Sequence, residues 1–317
     1  MKKRHDRPEV PEPAKENQRH EPLPWQQPKP VSEDPEGPAR QKRIMDSPSY
    51  RLAIEDTDFL SGYTARGVRM QLDYMKPERI LGVNGIEKTI VVFGGTRIVE
   101  KETAKRKVEE LRDRLLADGE DRELQRRLQV AERILAKSRY YEVAREFANI
   151  VARAGKSTRK SRLVVITGGG PGIMEAANRG AYDVGAPTVG LNITLPHEQY
   201  PNPYITPELC FQFHYFAMRK MHFLMRAKAL VAFPGGFGTF DELFETLTLI
   251  QTRKIKPLPV VLVGKEFWRK AFDVDFLVDE GVIDVEDRDL FWFAETAEEI
   301  WQGLLCWYDR NGESING

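Results

Sequence analysis

Three short apolar runs in this sequence each end in a cluster of glycines, and this arrangement constrains the fold more than any other feature. The clusters read FGGTR (93–97), TGGGPG (167–172) and PGGFGT (234–239). The run before the first cluster, KTIVV (88–92), is continuous and β-branched, which is typical of a buried strand. Helical patterns follow the second and third clusters, so the chain alternates between strand, glycine turn and helix.

Further runs extend this alternation over most of the chain. Strands are predicted at 187–193, 209–213, 230–233 and 258–264, and helices at 140–155, 173–185, 218–229 and 240–252. Continuous apolar strands that alternate with helices indicate a mainly parallel sheet with helices on both faces. The predicted fold class is therefore α/β, a Rossmann-like doubly wound domain.

The N-terminal part of the chain has a different composition. Residues 1–40 hold nine of the 20 prolines and seven hydrophobic residues. Such a segment cannot bury enough apolar surface to offset its ordering entropy, so residues 1–48 are predicted to be a disordered, proline-rich tail. Residues 49–317 are predicted to form one Rossmann-like domain, with aromatic-rich helices at 265–317.

A helical insertion is predicted within this domain at about 101–138. The segment is dense in charges of both signs, with Leu and Val at helical spacing, which indicates two exposed helices that break near Gly119. A solvated helical face is favoured over a binding surface for such a charge pattern.

Charge and hydropathy exclude several classes of protein. The 317 residues carry 48 Lys+Arg and 48 Asp+Glu, so no net charge attracts nucleic acid or an anionic membrane. The longest apolar runs are too short to cross a bilayer, and no apolar run follows the charged start as in a signal peptide. Cys210 and Cys306 lack metal-ligand spacing and are interpreted as core residues. We expect a cytoplasmic protein with no metal, membrane or nucleic-acid partner.

The glycine turns predict a phosphate site. In an open parallel sheet the strand carboxyl ends line the ligand crevice, and a helix N-terminus there offers free N–H groups to an anion. The candidate binding residues are Gly94, Gly95, Thr96, Gly169, Gly170, Gly172, Gly235, Gly236, Gly238 and Thr239. None of the turns matches the nucleotide-triphosphate P-loop, and GGGPGI lacks the dinucleotide-binding spacing. A monophosphate held by backbone amides fits best.

Glu242 has two interpretations. Residues 239–242 read T-x-x-E before an apolar helix, which is a capping box in which Glu242 folds back on the Thr239 amide. Alternatively, the carboxylate lies at the rim of the crevice, where an anion beside a phosphate site opposes binding unless it has a chemical role. The residues alone leave both interpretations open.

Two adjacent cations, Arg219 and Lys220, lie in an apolar helical stretch. A free charge is costly there, so at least one of them is predicted to face an anion. That anion is either a ligand, for which Lys220 is a candidate contact, or a structural partner such as Asp241. His214 and His222 lack the spacing of metal ligands.

Three motifs resemble the Lonely Guy (LOG) family. They are GGGPGIMEAANRGA (168–181), MRK (218–220) and PGGFGTFDE (234–242), and the resemblance covers about residues 80–300. LPHEQYPNPY (195–204) is also similar to the family's loop over the substrate. The resemblance implies a Rossmann-like, usually dimeric enzyme that hydrolyses the N-glycosidic bond of nucleoside 5′-monophosphates to a free base and ribose 5-phosphate. No cofactor is expected.

The resemblance also implies roles for particular residues. Arg219 and Glu242 match the catalytic pair, which assigns Glu242 to catalysis, although it can cap the helix as well. The glycines and threonine of PGGFGT match the phosphate loop. The chain departs from the family at FGGTR, where relatives usually have a Gly–Ser pair, so Gly95 lacks a hydroxyl ligand. The insertion and tail are absent from short plant-type members, which favours a general nucleotide such as AMP over a cytokinin ribotide.

Two other functions stay open. A non-catalytic nucleotide sensor would share every glycine turn, and the intact Arg219 and Glu242 pair is the feature against it. A lysine decarboxylase, the family's old label, would need pyridoxal phosphate on a lysine. The expected partner is a small-molecule nucleotide, and the expected assembly is a homodimer or a higher homo-oligomer.

Overall fold

The computed structural model describes residues 10–13, 15, 19, 21–117, 121–155, 163–196 and 200–315. The chain divides into two compact units, Met1–Gly67 and Val68–Gly317. The first unit contains helices α1 (Gly37–Met45) and α2 (Thr57–Ser61), and the carboxylate of Asp56 caps α2. The disorder predicted for residues 1–48 stays a prediction.

The second unit holds the sheet and its helices, and α3 (Arg66–Val83) crosses the boundary between the units. The strands are β1 (Lys88–Phe93), β2 (Leu163–Thr167), β3 (Thr188–Ile193), β4 (Cys210–Phe213), β5 (Ala227–Ala232), β6 (Val260–Val263) and β7 (Trp292–Ala294). The remaining helices are α4 (Lys101–Ala117), α5 (Arg122–Lys137), α6 (Arg139–Gly155), α7 (Ile173–Tyr182), α8 (Phe216–Met225), α9 (Phe237–Gln251), α10 (Lys265–Ala271), α11 (Val274–Asp279) and α12 (Ala297–Arg310).

The described strands form one sheet in the order β4-β3-β2-β1-β5-β6-β7, and every neighbouring pair is parallel. The chain adds β2, β3 and β4 on one side of β1, and then returns to add β5, β6 and β7 on the other side. The strand order therefore reverses between β1 and β5, which is where open α/β sheets bind ligands. The predicted α/β, Rossmann-like doubly wound fold is confirmed.

Both faces of the sheet are buried under helices. Val261 and Val263 of β6 belong to one core cluster, while Val260 and Leu262 belong to the other, because alternate residues of a strand point to opposite faces. The first cluster draws on α6, α7 and α12, and the second draws on α8, α9 and α10. This two-sided burial explains why the strands read as continuous apolar runs rather than alternating ones.

The charged insertion forms two helices, as predicted, and the expected break near Gly119 lies outside the described residues. Helices α4 and α5 pack on each other through a small apolar cluster of their own, formed by Val108, Leu111, Leu124 and Ala131. Their exposed faces carry ion pairs such as Arg112–Glu132, at 2.7 Å. The charges thus lie on solvated faces, as the sequence pattern indicated.

Some sequence-based boundaries were wrong. The helix predicted at 218–229 ends at Met225, and β5 begins at Ala227 rather than at residue 230. The C-terminal segment contains a strand, β7, besides its helices. Cys306 is exposed and Cys210 half-buried, so neither is a core residue. Among the described residues, no helix combines the length and apolarity needed to cross a membrane.

Helices α6 and α7 pack so closely that Gly180 has no room for a side chain. A Cβ there would lie 1.9 Å from the Arg145 carbonyl oxygen. We therefore expect Gly180→Ala to destabilise the fold by ~1–3 kcal/mol through overpacking, measured as a lower urea midpoint. Gly82→Ala is the matched control, because its Cβ meets nothing within 4 Å and alanine favours a helix by up to ~1 kcal/mol. Equal midpoints for the two variants would contradict this account.

Candidate functional site

Three glycine turns lie together at the carboxyl edge of the sheet. They are turn 1 (94–97), turn 2 (168–172) and turn 3 (234–239), and they follow β1, β2 and β5. These strands are immediate neighbours in the order β2-β1-β5, so the turns line one stretch of the edge across the point where the strand order reverses. The candidate residues of the turns are thereby brought to one stretch of the sheet edge.

Turn 1 is clamped between the other two turns. The Gly95 amide donates to the Pro234 carbonyl at 2.9 Å, and the Gly95 carbonyl accepts from the Ile173 amide at 3.2 Å. Gly172 has φ +74°, and a Cβ there would lie 2.4 Å from the Gly95 oxygen. Gly94 also has no room for a side chain, since an added Cβ would lie 2.6 Å from the Ile173 side chain. These glycines allow close packing, and the Gly95 amide is already engaged. Thr96 is exposed.

Turn 2 is buried except at Pro171, and several of its backbone polar groups make hydrogen bonds within the fold. The Gly169 amide donates to Thr167 Oγ1 at 3.0 Å. Asn202 holds the turn from the other side, since its amide donates to the Gly169 carbonyl at 2.9 Å and its Nδ2 donates to the Gly170 carbonyl at 3.1 Å. Asn202 belongs to the 195–204 segment, of which residues 197–199 lie outside the described part.

Asn178 completes this network and is fully buried. Its Oδ1 accepts from Thr167 Oγ1 at 2.7 Å and from Asn202 Nδ2 at 2.9 Å, while its Nδ2 donates to Thr188 Oγ1 at 2.6 Å. Sequence reasoning missed both asparagines. The only signal was their position inside quoted motifs, as the N of AANRGA and of PNPY.

Turn 3 differs because its glycines face open space. A Cβ on Gly236 or on Gly238 would meet nothing within 4 Å, and neither residue has positive φ. Gly235 is the exception, since its Cβ would lie 2.1 Å from Thr239 Oγ1. Packing therefore requires glycine at position 235, but neither packing nor backbone conformation requires it at 236 or 238.

Helix α9 begins in this turn, with Gly236 as its N-cap and no capping side chain. The first amides of a helix have no acceptor within it, and they carry the positive end of the helix dipole. The capping-box interpretation of T-x-x-E is wrong. Thr239 is the third residue of the helix, its amide donates to the Gly236 carbonyl at 2.9 Å, and Glu242 makes no cap. The helix starts three residues earlier than predicted.

Glu242 lies about one turn further along α9 and is 5% exposed. Its Oε1 is 3.5 Å from Nη2 of Arg219 on α8. Burial raises the pKa of Glu242 to about 7, although the nearby Arg219 and Lys220 act in the opposite direction. Burial also lowers the pKa of Arg219. The pair thus holds a carboxyl group that exchanges a proton near neutral pH, which is the property of a general acid or base.

Arg219 has hydrogen-bonding capacity left over. Its guanidinium carbon lies 5.0 Å from the Phe216 ring centroid and 5.7 Å from that of Phe223. Its buried Nε has no acceptor among the described residues. The guanidinium is therefore held between aromatic rings with a donor free for a further anion or oxygen.

Lys220 faces carboxylates of the protein instead. Its Nζ lies 2.8 Å from Asp241 Oδ1 and 3.0 Å from Glu245 Oε2. Asp241 is thus a structural partner for this cation, and contact of Lys220 with a ligand stays a prediction. Within the described residues, no group of three or more His, Cys, Asp or Glu side chains could hold a metal ion.

These features define a Rossmann-like α/β protein with an open helix N-terminus beside a buried acid and guanidinium pair. The family model described as "possible lysine decarboxylase" matches residues 174–304. The chain is similar to proteins of the Lonely Guy family, which confirms the resemblance drawn from its motifs.

Two plant proteins and one solved structure are similar to this chain. A probable cytokinin riboside 5′-monophosphate phosphoribohydrolase of Oryza sativa subsp. japonica is 27% identical over 164 residues, 48% of this chain and 74% of the relative. A cytokinin riboside 5′-monophosphate phosphoribohydrolase of Arabidopsis thaliana is 28% identical over 162 residues, which are 45% of this chain and 73% of the relative. The solved Moco carrier protein from Chlamydomonas reinhardtii is 18% identical, with a TM-score of 0.40 over 69% of this chain and 98% of that one.

The raised pKa of Glu242 predicts a pH-dependent stability. The folded state holds the proton up to about pH 7, whereas the unfolded carboxyl releases it near its ordinary value of 4.5, so the stabilising contribution is lost as pH rises through 7. Glu242→Gln keeps a neutral group at every pH. We therefore expect the melting temperature of this variant, without ligand, to rise relative to the parent protein from about pH 4.5 to about pH 7, and the difference to stay constant at higher pH.

Differential scanning calorimetry measures this difference. Glu266→Gln is the control, because Glu266 is exposed and its pKa is lowered by the Lys270 side chain, so it should show no such trend in this range. A constant or narrowing difference for Glu242→Gln over this range would show that the buried carboxyl is ionised throughout.

Proposed function

We propose that the protein hydrolyses the N-glycosidic bond of a nucleoside 5′-monophosphate, such as AMP, to a free base and ribose 5-phosphate. The observation that carries this proposal is the buried carboxyl of Glu242, with its pKa near 7, about one helical turn beyond the open N-terminus of α9. The similar plant proteins are named cytokinin riboside 5′-monophosphate phosphoribohydrolases, which supports the same reaction class.

The phosphate binds at the start of α9 in this proposal. The first-turn amides and the helix dipole attract an anion, and the missing side chains of Gly236 and Gly238 leave its oxygens free to approach the backbone. The exposure of residues 236–238 supports access from solvent. In turns 1 and 2, Gly95 and Gly169 contribute by shaping the crevice, because their amides already have acceptors in the fold.

The chemical step follows from charge. As the bond between C1′ and the base nitrogen breaks, its electron pair leaves with the base and positive charge develops on the ribose, as in glycoside hydrolysis. The Glu242 carboxylate stabilises that charge and accepts a proton from the water that attacks C1′. The oxygen of the water becomes the new hydroxyl at C1′, and the base takes up a proton as it departs.

Arg219 positions the substrate and keeps Glu242 ionisable. Its unpaired Nε can donate to a ribose or phosphate oxygen, while its Nη2 faces the carboxyl at 3.5 Å. The positive charge that develops on the ribose as the bond breaks favours the ionised carboxylate in the transition state, because an opposite charge lowers the pKa of an acid.

Glu242→Gln tests the chemical role. The amide cannot accept the proton, so we expect turnover of AMP to fall ~10²-fold or more while AMP still binds. Chromatography of free base and ribose 5-phosphate measures the reaction, with a panel of nucleoside monophosphates and a cytokinin ribotide as substrates. Glu245→Gln is the matched control on the same helix, since Lys220 keeps Asp241 as a partner and turnover should persist.

Two outcomes would count against hydrolysis. Undiminished release of base by Glu242→Gln would remove the carboxyl from the mechanism. Binding of nucleotides by the parent protein without any cleavage would instead favour the alternative, a nucleotide sensor built on the same turns.

Gly236 and Gly238, where a Cβ would meet no neighbouring atom, allow a test of phosphate binding. We expect Gly236→Ala and Gly238→Ala to fold as stably as the parent, yet to bind AMP ~tenfold more weakly, because each Cβ occupies space beside the anion-binding amides. Gly235→Ala should instead lower stability, since its Cβ collides with Thr239. Calorimetric titration and melting curves separate the two effects. AMP affinity unchanged in both open-glycine variants would exclude phosphate binding at this turn.

We also propose a homodimer or higher homo-oligomer and a cytoplasmic location, as the family resemblance implies. Exposed apolar side chains on α8, namely Phe216, Met221 and Met225, support an assembly through this face. Light scattering after size-exclusion chromatography measures the mass in solution.

A further inference from the structure

One buried polar group at the glycine edge has no role in the fold. Asn192 is the fifth residue of β3 and is 5% exposed, yet its Nδ2 has no acceptor among the described residues. Its Oδ1 makes a single weak contact, from the Cys210 thiol at 3.6 Å. An unpaired buried amide of this kind costs ~1–3 kcal/mol, so the fold gains nothing from it without an acceptor supplied from outside.

The backbone of turn 2 makes room for this amide. Gly169 has φ +71°, and a Cβ there would lie 2.0 Å from Asn192 Oδ1 and 3.2 Å from its Nδ2. The glycine is therefore needed for the carboxamide to lie against turn 2. The backbone amide of Asn202 donates to the Gly169 carbonyl at 2.9 Å, which holds the glycine in place beside the carboxamide.

Asn192 lies far from the proposed phosphate position, on the side of the sheet edge where the other end of a nucleotide would be. Strand β3 lies three strand positions from β5, which is about 14 Å at the ordinary strand spacing. The open N-terminus of α9 follows β5. The distance from a phosphate bound there to Asn192 is therefore comparable to the length of a whole nucleotide and too long for a phosphate group alone. Helix α8 packs on β3 and β4 and carries Arg219, whose Nη2 lies 3.5 Å from Glu242 Oε1 on α9.

We propose that Asn192 binds the base of the nucleotide, with its Nδ2 donating to a ring nitrogen or carbonyl oxygen of that base. This inference rests on the proposed function, because it takes the phosphate position at α9 as its reference. Asn192 thereby acts as a specificity residue: it recognises an acceptor on the base and leaves the phosphate and ribose to turn 3, Arg219 and Glu242.

Asn192→Leu tests this assignment, because leucine has a similar volume and no donor, and Asn192→Ala serves as the second variant. Both are made in Glu242→Gln protein so that AMP stays intact during calorimetric titration. We expect the dissociation constant for AMP to rise ~tenfold, while that for ribose 5-phosphate, which lacks the base, changes by less than about twofold. Stability should hold or increase, since an unpaired buried amide is removed.

Thr89→Val is the matched control. Thr89 is fully buried, its Oγ1 has no partner among the described residues, and it lies at the opposite, amino end of β1. Its replacement removes the same kind of unpaired group but should leave the affinities for both AMP and ribose 5-phosphate unchanged.

The outcomes separate this inference from the proposed function. If the Glu242→Gln protein binds neither ligand, the phosphate site itself is wrong and the inference falls with it. If it binds both, but the Asn192 variants bind AMP as tightly as their parent, only the role of Asn192 is overturned. Equal weakening of AMP and ribose 5-phosphate would show a structural effect and would likewise overturn it.

Discussion

The hydrogen bond from the Gly95 amide to the Pro234 carbonyl joins the turns on either side of the point where the strand order reverses. A crevice forms in an open sheet at this point because the chain departs in opposite directions from neighbouring strands. The Gly95 carbonyl then accepts from Ile173, the residue that follows turn 2, so one residue of turn 1 connects it to both other turns. These two hydrogen bonds therefore fix the position of turn 1 relative to the other two turns.

The glycines of the three turns serve two different physical purposes. At Gly94, Gly169, Gly172 and Gly235 a side chain would collide with neighbouring atoms of the protein, so these residues build the wall. At Gly236 and Gly238 there is no such neighbour, and the helix N-terminus beside them is uncapped. A sequence motif rich in glycine thus combines residues that shape a site with residues that leave it open. The two kinds differ only in the atoms that surround them in the folded protein.

The sequence predicted the fold class well because buried parallel strands leave a strong local signal. Boundaries set by tertiary contacts were less accessible. The stretch after Met225 contains good helix formers, yet β5 begins at Ala227 because it pairs with β1, and the three residues of β7 form a strand only beside β6. T-x-x-E at 239–242 suggested a helix start that the structure places earlier. The asparagine network around turn 2 joins residues far apart in sequence, so no local pattern could indicate it.

The early start of α9 also fixes a length. The open amides and Glu242 belong to the same rigid helix, and the four residues from Gly238 to Glu242 correspond to a rise of about 6 Å along its axis. In the proposed reaction this rise sets the separation between the bound anion and the carboxyl group. A nucleotide with one phosphate would place its ribose next to Glu242. A nucleotide with a longer phosphate chain would place its ribose too far from Glu242, and a nucleoside without phosphate would not be anchored at the helix N-terminus.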